Sequence, residues 1–179
     1  QCVAILRLCQ AADDEGAAGE SFLVARWRRR VLRQSYFGAF YTGRTRHDAS
    51  GTPARHTAGA DFRVATATFL GNKNLAASGY WVANSTGQGI GDSAAFSGQV
   101  EYLNDIWEAS AEYQDVDRNY DPAVGFTPRR NYLRYNPELT WSPRPKARHR
   151  FIRRFRFGLE PTVFTDRDNE EHGELWTPV

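Results

Sequence analysis

In this 179-residue chain, carboxylate and guanidinium side chains recur at spacings that could bind ions. Oxygen-bearing residues recur at every second position of one loop, as at the start of a calcium-binding loop: Asp115, Asp117, Asn119 and Asp121. Because the later glycine and bidentate glutamate of that pattern do not follow, a solvated acidic loop is the favoured interpretation and calcium the weaker one. No Ser or Cys motif accompanies the histidines, so we expect neither a catalytic set nor a cofactor.

A second group of charged residues follows the strands. Arg26, Arg28 and Arg30 share one face of a predicted strand, where a basic ladder could select anionic solutes inside a pore. Pairing of these arginines with acids across strands is the favoured alternative, because 23 basic residues face 21 acidic ones. The charged residues expected on this lumen-lining face are Arg26, Arg28, Arg30, Asp61, Arg63, Glu101, Glu108, Glu112, Arg134 and Glu138.

Composition excludes several classes of protein. A net charge of +2 is too small for a protein that binds nucleic acid through many unpaired phosphate contacts, so no nucleic-acid partner is expected. The longest unbroken apolar stretch, from Cys2 to Leu6, is far shorter than the roughly 20 residues of a membrane-spanning helix. The chain starts at Gln1 and contains no methionine, which indicates a processed product or a fragment.

Alternation of apolar and polar residues is the dominant pattern, and it predicts an all-β fold. We expect an antiparallel up-and-down meander of about 9–10 long strands, organised as one domain over residues 1–179. The predicted strands are 2–10, 21–31, 35–45, 57–70, 74–84, 93–103, 106–115, 131–141, 150–165 and 173–179.

The connections between these strands alternate between short and long, which is typical of outer-membrane barrels. Short connections are predicted at 32–34, 71–73, 104–105 and 142–149, and long ones at 11–20, 46–56, 85–92, 116–130 and 166–172. Aromatic residues are expected in two belts at the two interfaces. Phe37, Tyr102, Trp107 and Trp141 would lie beside the short turns, and Tyr41, Trp81, Phe96 and Tyr113 toward the long loops. The meander is therefore predicted to be part or all of a transmembrane β-barrel, with the lipid bilayer as its partner and a bacterial outer membrane as its location.

The connection 116–130 has the glycine and prolines of an ordered loop. With Phe126 and Arg129 it could fold inward and constrict the lumen, or it could remain an external loop packed on its own side chains. Both interpretations stay open at this point.

Two stretches carry a family resemblance: Phe22–Arg44, and Tyr113–Arg129 followed by Tyr132-Leu-Arg-Tyr-Asn136. They resemble the uncharacterised bacterial β-barrel domain that follows a family-nine carbohydrate-binding-like module. Gly59-Ala-Asp61 and the strand from Leu75 to Ala83 fit the same pattern, so the resemblance spans most of residues 1–165. It implies that the chain is an internal fragment of a larger barrel, and that a saccharide is the ligand to consider.

Three functions follow as expectations. The first is a barrel that acts as a channel or as a surface-binding platform. The second is a barrel-anchored hydrolase whose catalytic groups lie in the long loops or in a missing domain. The third is a soluble β-sandwich that acts as a binding module.

Overall fold

The computed structural model describes residues 2–10, 19–47, 53–85, 93–145, 153–166 and 171–178. Within these ranges, ten strands form one sheet in chain order. They are β1 (Cys2–Gln10), β2 (Gly19–Leu32), β3 (Ser35–His47), β4 (Arg55–Phe69), β5 (Lys73–Asn84), β6 (Ala94–Leu103), β7 (Trp107–Val116), β8 (Tyr132–Trp141), β9 (Phe157–Thr165) and β10 (Glu171–Pro178). The prediction of an all-β, antiparallel up-and-down meander is confirmed.

The first and last strands end the sheet. In the strand order, β1 has only β2 beside it and β10 only β9, and no pairing joins β1 to β10 among the described residues. The observed fold is therefore a meander in one sheet. Among the same residues, no helix is long and apolar enough to cross a membrane.

Strand β9 differs from its predicted bounds. The sequence pattern predicts a strand over 150–165, but β9 begins at Phe157 and residues 153–156 are not in a strand. The connection after β8 thus runs from Ser142 to Arg156, and the strict alternation of short and long connections is wrong at this point. Pro143 and Pro145 lie at its start, where proline lacks the N–H that a strand ladder needs. Residues 146–152, which include part of the predicted connection 142–149 and the predicted start of the strand 150–165, lie outside the described residues.

The other short connections are tight, as predicted. Strands β2 and β3 are joined by Arg33 and Gln34, and β4 and β5 by residues 70–72. In the second turn Leu70 and Gly71 have positive φ angles of 47° and 96°. Glycine accepts this backbone without steric cost, whereas a leucine there is uncommon. The amide of Gly71 closes the turn by donating to the Thr68 carbonyl at 3.2 Å.

By its contacts, the chain divides into two compact units. Unit 1 contains residues 1–62, 80–96 and 116–131, which include β1–β3 and the long connection after β7. Unit 2 contains residues 63–79, 97–115 and 132–179, which include β8–β10.

The apolar face of the strands is more exposed than the polar face. In β4, Ala58, Ala60, Phe62 and Val64 are exposed, whereas the polar-face residues between them are buried or half-buried. In β8, Leu139 and Trp141 are 50% and 43% exposed, while Thr140 between them is 1% exposed. Among the described residues, the buried apolar side chains are few and mostly small, and include Ala76, Val82, Ala95 and Val116 on polar-face positions of β5, β6 and β7. This is the reverse of the arrangement in a soluble sheet, which buries its apolar face.

Candidate functional site

An ion pair crosses a whole strand in unit 1. Arg26 of β2 donates to the Asp61 carboxylate of β4 at 2.8 Å, and β3 lies between the two strands. At the crossing point β3 carries Gly38, whose added Cβ would lie 2.7 Å from both the Arg26 Nη2 and the Asp61 Oδ1. The absence of a side chain at Gly38 is what allows these two predicted residues to meet.

Ion pairs also join the charged residues of unit 2. Arg63 donates to Glu101 at 3.1 Å, and Arg134 donates to Glu112 at 2.6 Å. The two remaining acids of the predicted set have partners as well. Glu138 accepts from the Ser110 hydroxyl at 3.2 Å, and Glu108 accepts from Arg154 and Arg156 at 3.5 and 3.4 Å.

The arginine ladder of β2 therefore divides into different environments. Arg26 is paired with an acid, as the favoured interpretation expects. Arg28 instead lies over the Tyr36 ring, 3.6 Å from its centroid, in a cation–π contact. Arg30 is exposed on the same face, near the turn to β3.

The connection after β7 packs onto neighbouring strands of unit 1 rather than only onto itself. The Ala123 amide donates to the hydroxyl of Thr57 in β4 at 2.8 Å, and both residues are 2% exposed. The Asp121 amide donates to the Asn84 side chain of β5 at 3.2 Å. Thr57 and Asn84 occupy polar-face positions, so the connection lies against the polar face at this place.

Acidic residues of this connection make bonds within the protein. The Asp117 carboxylate accepts from the Ala94 amide at 2.8 Å, and its carbonyl accepts from the Tyr120 and Asn131 amides. Asp121 pairs with Arg55 and, at 3.0 Å, with Arg130.

The remaining residues of the predicted loop set are more dispersed. Asp115 lies in β7 and is half-buried, whereas Asn119 and Arg129 are exposed. Phe126, next to the positive-φ Gly125, is 86% exposed. In the described part of the chain, no group of three or more His, Cys, Asp or Glu residues is arranged to hold a metal ion.

One tyrosine of this connection has a shifted pKa. Burial raises the pKa of the Tyr120 phenol, and the nearby Tyr80 raises it further. The raised pKa favours the neutral, protonated form of the Tyr120 phenol over the tyrosinate.

Sequence reasoning missed a recess of unit 1 that is lined by Arg44, Arg46, Pro53 and Arg55. Arg44 donates twice to the Glu20 carboxylate, at 3.0 and 2.8 Å, and Arg46 donates to it at 3.2 Å. The signal in the sequence was the spacing of Arg44 and Arg46, which puts both on one face of β3. Their acid partner could not be inferred because it depends on the register of β2 against β3, in which Glu20 is opposite Arg46.

Aromatic residues on the apolar face of unit 2 form a row across three strands. Trp107 and Trp141 stack with ring centroids 5.9 Å apart, and Trp141 stacks on Phe157 at 5.8 Å. These residues lie at the start of β7, the end of β8 and the start of β9, beside the connections 104–106 and 142–156. Farther along β7 and β8, the rings of Tyr113 and Tyr135 are 5.2 Å apart.

Comparisons with protein-family models, with curated proteins and with solved structures find no match to this chain.

Proposed function

We propose that this chain is part of a transmembrane β-barrel of a bacterial outer membrane. Its apolar face contacts lipid and its polar face lines the barrel interior. The barrel acts as a channel or as a surface-binding platform, and the family resemblance makes a saccharide the ligand to test first.

The observation that carries this proposal is the reversed exposure of the two sheet faces. Large apolar side chains such as Trp81 and Val100 are each 50% exposed, whereas polar positions such as Asn84 and Ser97 are buried. In water, an apolar face of this extent is an aggregation liability or an interface. In a bilayer it is the surface that a membrane strand requires.

Two further features support the same proposal. The row formed by Trp107, Trp141 and Phe157 corresponds to the aromatic girdle that membrane barrels place at a lipid–water interface. On the other face, charged residues are paired across strands, as expected where charges are enclosed and must be neutralised. A midplane arginine facing lipid would cost about 2–4 kcal/mol instead.

The contents of the polar face favour a narrow interior. Cross-strand ion pairs occupy it in both units, and the connection after β7 lies against it through Thr57 and Asn84. In each unit these groups take up space on the face that the proposal assigns to the interior. This supports either a narrow channel or a platform whose binding residues lie in the long connections.

Site-specific fluorescence tests which face contacts lipid. In the full-length protein, with its native cysteines replaced by serine, Gln99→Cys and Val100→Cys are labelled with the same polarity-sensitive dye. The two positions are neighbours on opposite faces of β6 and so control for each other. Lipids brominated in their acyl chains should quench the dye at position 100 strongly and the dye at position 99 weakly.

Cell fractionation and conductance complete the test. We expect recovery in the outer membrane and a heat-shifted band on a detergent gel, which would identify a closed barrel. Single-channel steps in planar bilayers would then favour the channel, and their absence the platform. Recovery as a soluble protein without detergent, or equal quenching at positions 99 and 100, would refute the membrane proposal.

A further inference from the structure

Unit 1 contains a recess whose walls are mainly guanidinium groups. Arg44, Arg46 and Arg55 line it together with Pro53. The proline has no backbone N–H, so among the described lining residues the hydrogen-bond donors that face a ligand belong to the three arginines.

The two strands on either side determine this arrangement. Arg44 and Arg46 are two residues apart near the end of β3 and therefore point to the same face. Arg55 is the first residue of β4, the strand that follows β3 in the sheet. Three guanidinium groups thus converge where the chain passes from β3 to β4.

Acidic neighbours hold these arginines in place without neutralising all of them. Arg44 and Arg46 share the single carboxylate of Glu20. Arg55 shares the carboxylate of Asp121 with Arg130. Among the described residues, the cluster therefore sets four guanidinium groups against two carboxylates, which leaves an excess positive charge. Each guanidinium also has five N–H donors, more than its bonds to Glu20 or Asp121 use, including the bond from Arg55 to the Asp121 backbone carbonyl.

We infer that Arg44, Arg46 and Arg55 form a binding site for an oxyanion group, a carboxylate or a phosphate, carried by a small solute. A guanidinium binds such groups through paired N–H donors, and arginines already oriented by Glu20 and Asp121 lose little freedom on binding. The site lies within one compact unit, so the inference holds whether or not the protein conducts ions.

Calorimetric titration of the folded, full-length protein in a nonionic detergent tests this inference. The probes are inorganic phosphate, glucuronate and glucose, each at the same ionic strength. Both oxyanions, or one of them, should bind, and neutral glucose should not. Tighter binding of glucuronate would identify an acidic sugar as the source of the anion, and tighter binding of phosphate a phosphate-bearing solute. Binding of neither oxyanion, or equal binding of glucose, would overturn the inference.

Three variants locate the site. Arg46→Gln and Arg55→Gln should each weaken oxyanion binding about ten- to a hundredfold, the usual effect of removing a charged hydrogen bond. Arg33→Gln removes the same charge from the β2–β3 turn and should leave binding unchanged. Arg46 bonds to Glu20 through Nε alone and is the most exposed of the three, so its variant should keep the fold even where Arg55→Gln disturbs it. An equal loss in Arg33→Gln would show a general charge effect and would refute the site.

Discussion

Gly59, the single glycine of β4, should be difficult to replace. An added Cβ there would lie 2.6 Å from Cε1 of the Phe40 ring and 2.7 Å from the Trp81 carbonyl oxygen. Both distances are about 1 Å shorter than an ordinary contact between such atoms. The ring can turn away, but the carbonyl belongs to the backbone of β5, so the sheet itself would have to move.

We therefore expect Gly59→Ala to lower the free energy of unfolding by about 2–3 kcal/mol, in the upper part of the range for overpacking. Gly43→Ala is the matched control. Its Cβ would lie 3.4 Å from the Tyr41 hydroxyl and 3.5 Å from the His56 Nδ1, which is ordinary contact. The change at Gly43 should stay within about 0.5 kcal/mol.

Urea unfolding of the protein in detergent, followed by tryptophan fluorescence and by the heat-shifted gel band, measures both variants. The midpoint of Gly59→Ala should fall while the slope with urea stays the same, because the surface exposed on unfolding is unchanged. If Gly59→Ala and Gly43→Ala have the same urea midpoint, Phe40 does not lie over Gly59, and the packing deduced for this part of unit 1 is wrong.

Three further changes test other parts of the structure. Thr57→Val removes the acceptor of the buried Ala123 amide and should lower the free energy of unfolding by about 1–3 kcal/mol. Trypsin should then cleave the connection after β7 faster. Unchanged cleavage would contradict the anchoring of this connection on β4. A double-mutant cycle on Arg63 and Glu101 should give a coupling free energy of about 0.5–1 kcal/mol, because the arginine is partly exposed to solvent. A coupling free energy of several kcal/mol would show instead that the pair is shielded from solvent. Tyr120→Phe should remove from the tyrosinate absorbance a component that titrates above the ordinary tyrosine range. Loss of a component that titrates within the ordinary range would refute the raised pKa of Tyr120.

The pH dependence at Tyr120 has a definite sign. Its pKa is raised in the folded state, whereas an unfolded tyrosine has a pKa of about 10. The folded protein then keeps a proton that the unfolded chain has already lost. The contribution of this tyrosine to stability is therefore present below about pH 10 and is lost as the pH rises through the raised, folded-state pKa.

Strand positions could be predicted from the sequence because they depend on local pattern. Alternation in the stretch from Gly59 to Val64 and the turn residues at Gly71 and Asn104 define elements without knowledge of their partners. The start of β9 could not be predicted in this way. Alternating arginine and phenylalanine before Phe157 has the same period as a strand, whether or not a neighbouring strand is available to pair with it.

The candidate site could be predicted only in part, because its contacts depend on register and on the strands in between. The polar face of β2 indicates that Arg26 needs an acid, but the choice of Asp61 depends on a gap over Gly38 in the intervening strand. The same limit applies to Glu20, which reaches Arg44 and Arg46 because of how β2 aligns with β3. Composition and alternation carry no information about such alignments.

The strand order has a consequence for how this architecture can change in evolution. In the described part of the chain, every strand is bonded only to strands adjacent to it in sequence. Duplication or loss of one hairpin would lengthen or shorten the array by two members and would leave the pairing of all the others intact. Genes for such proteins can therefore gain or lose hairpins by simple recombination within a turn, and descendants of one ancestor can differ in strand number without differing in topology.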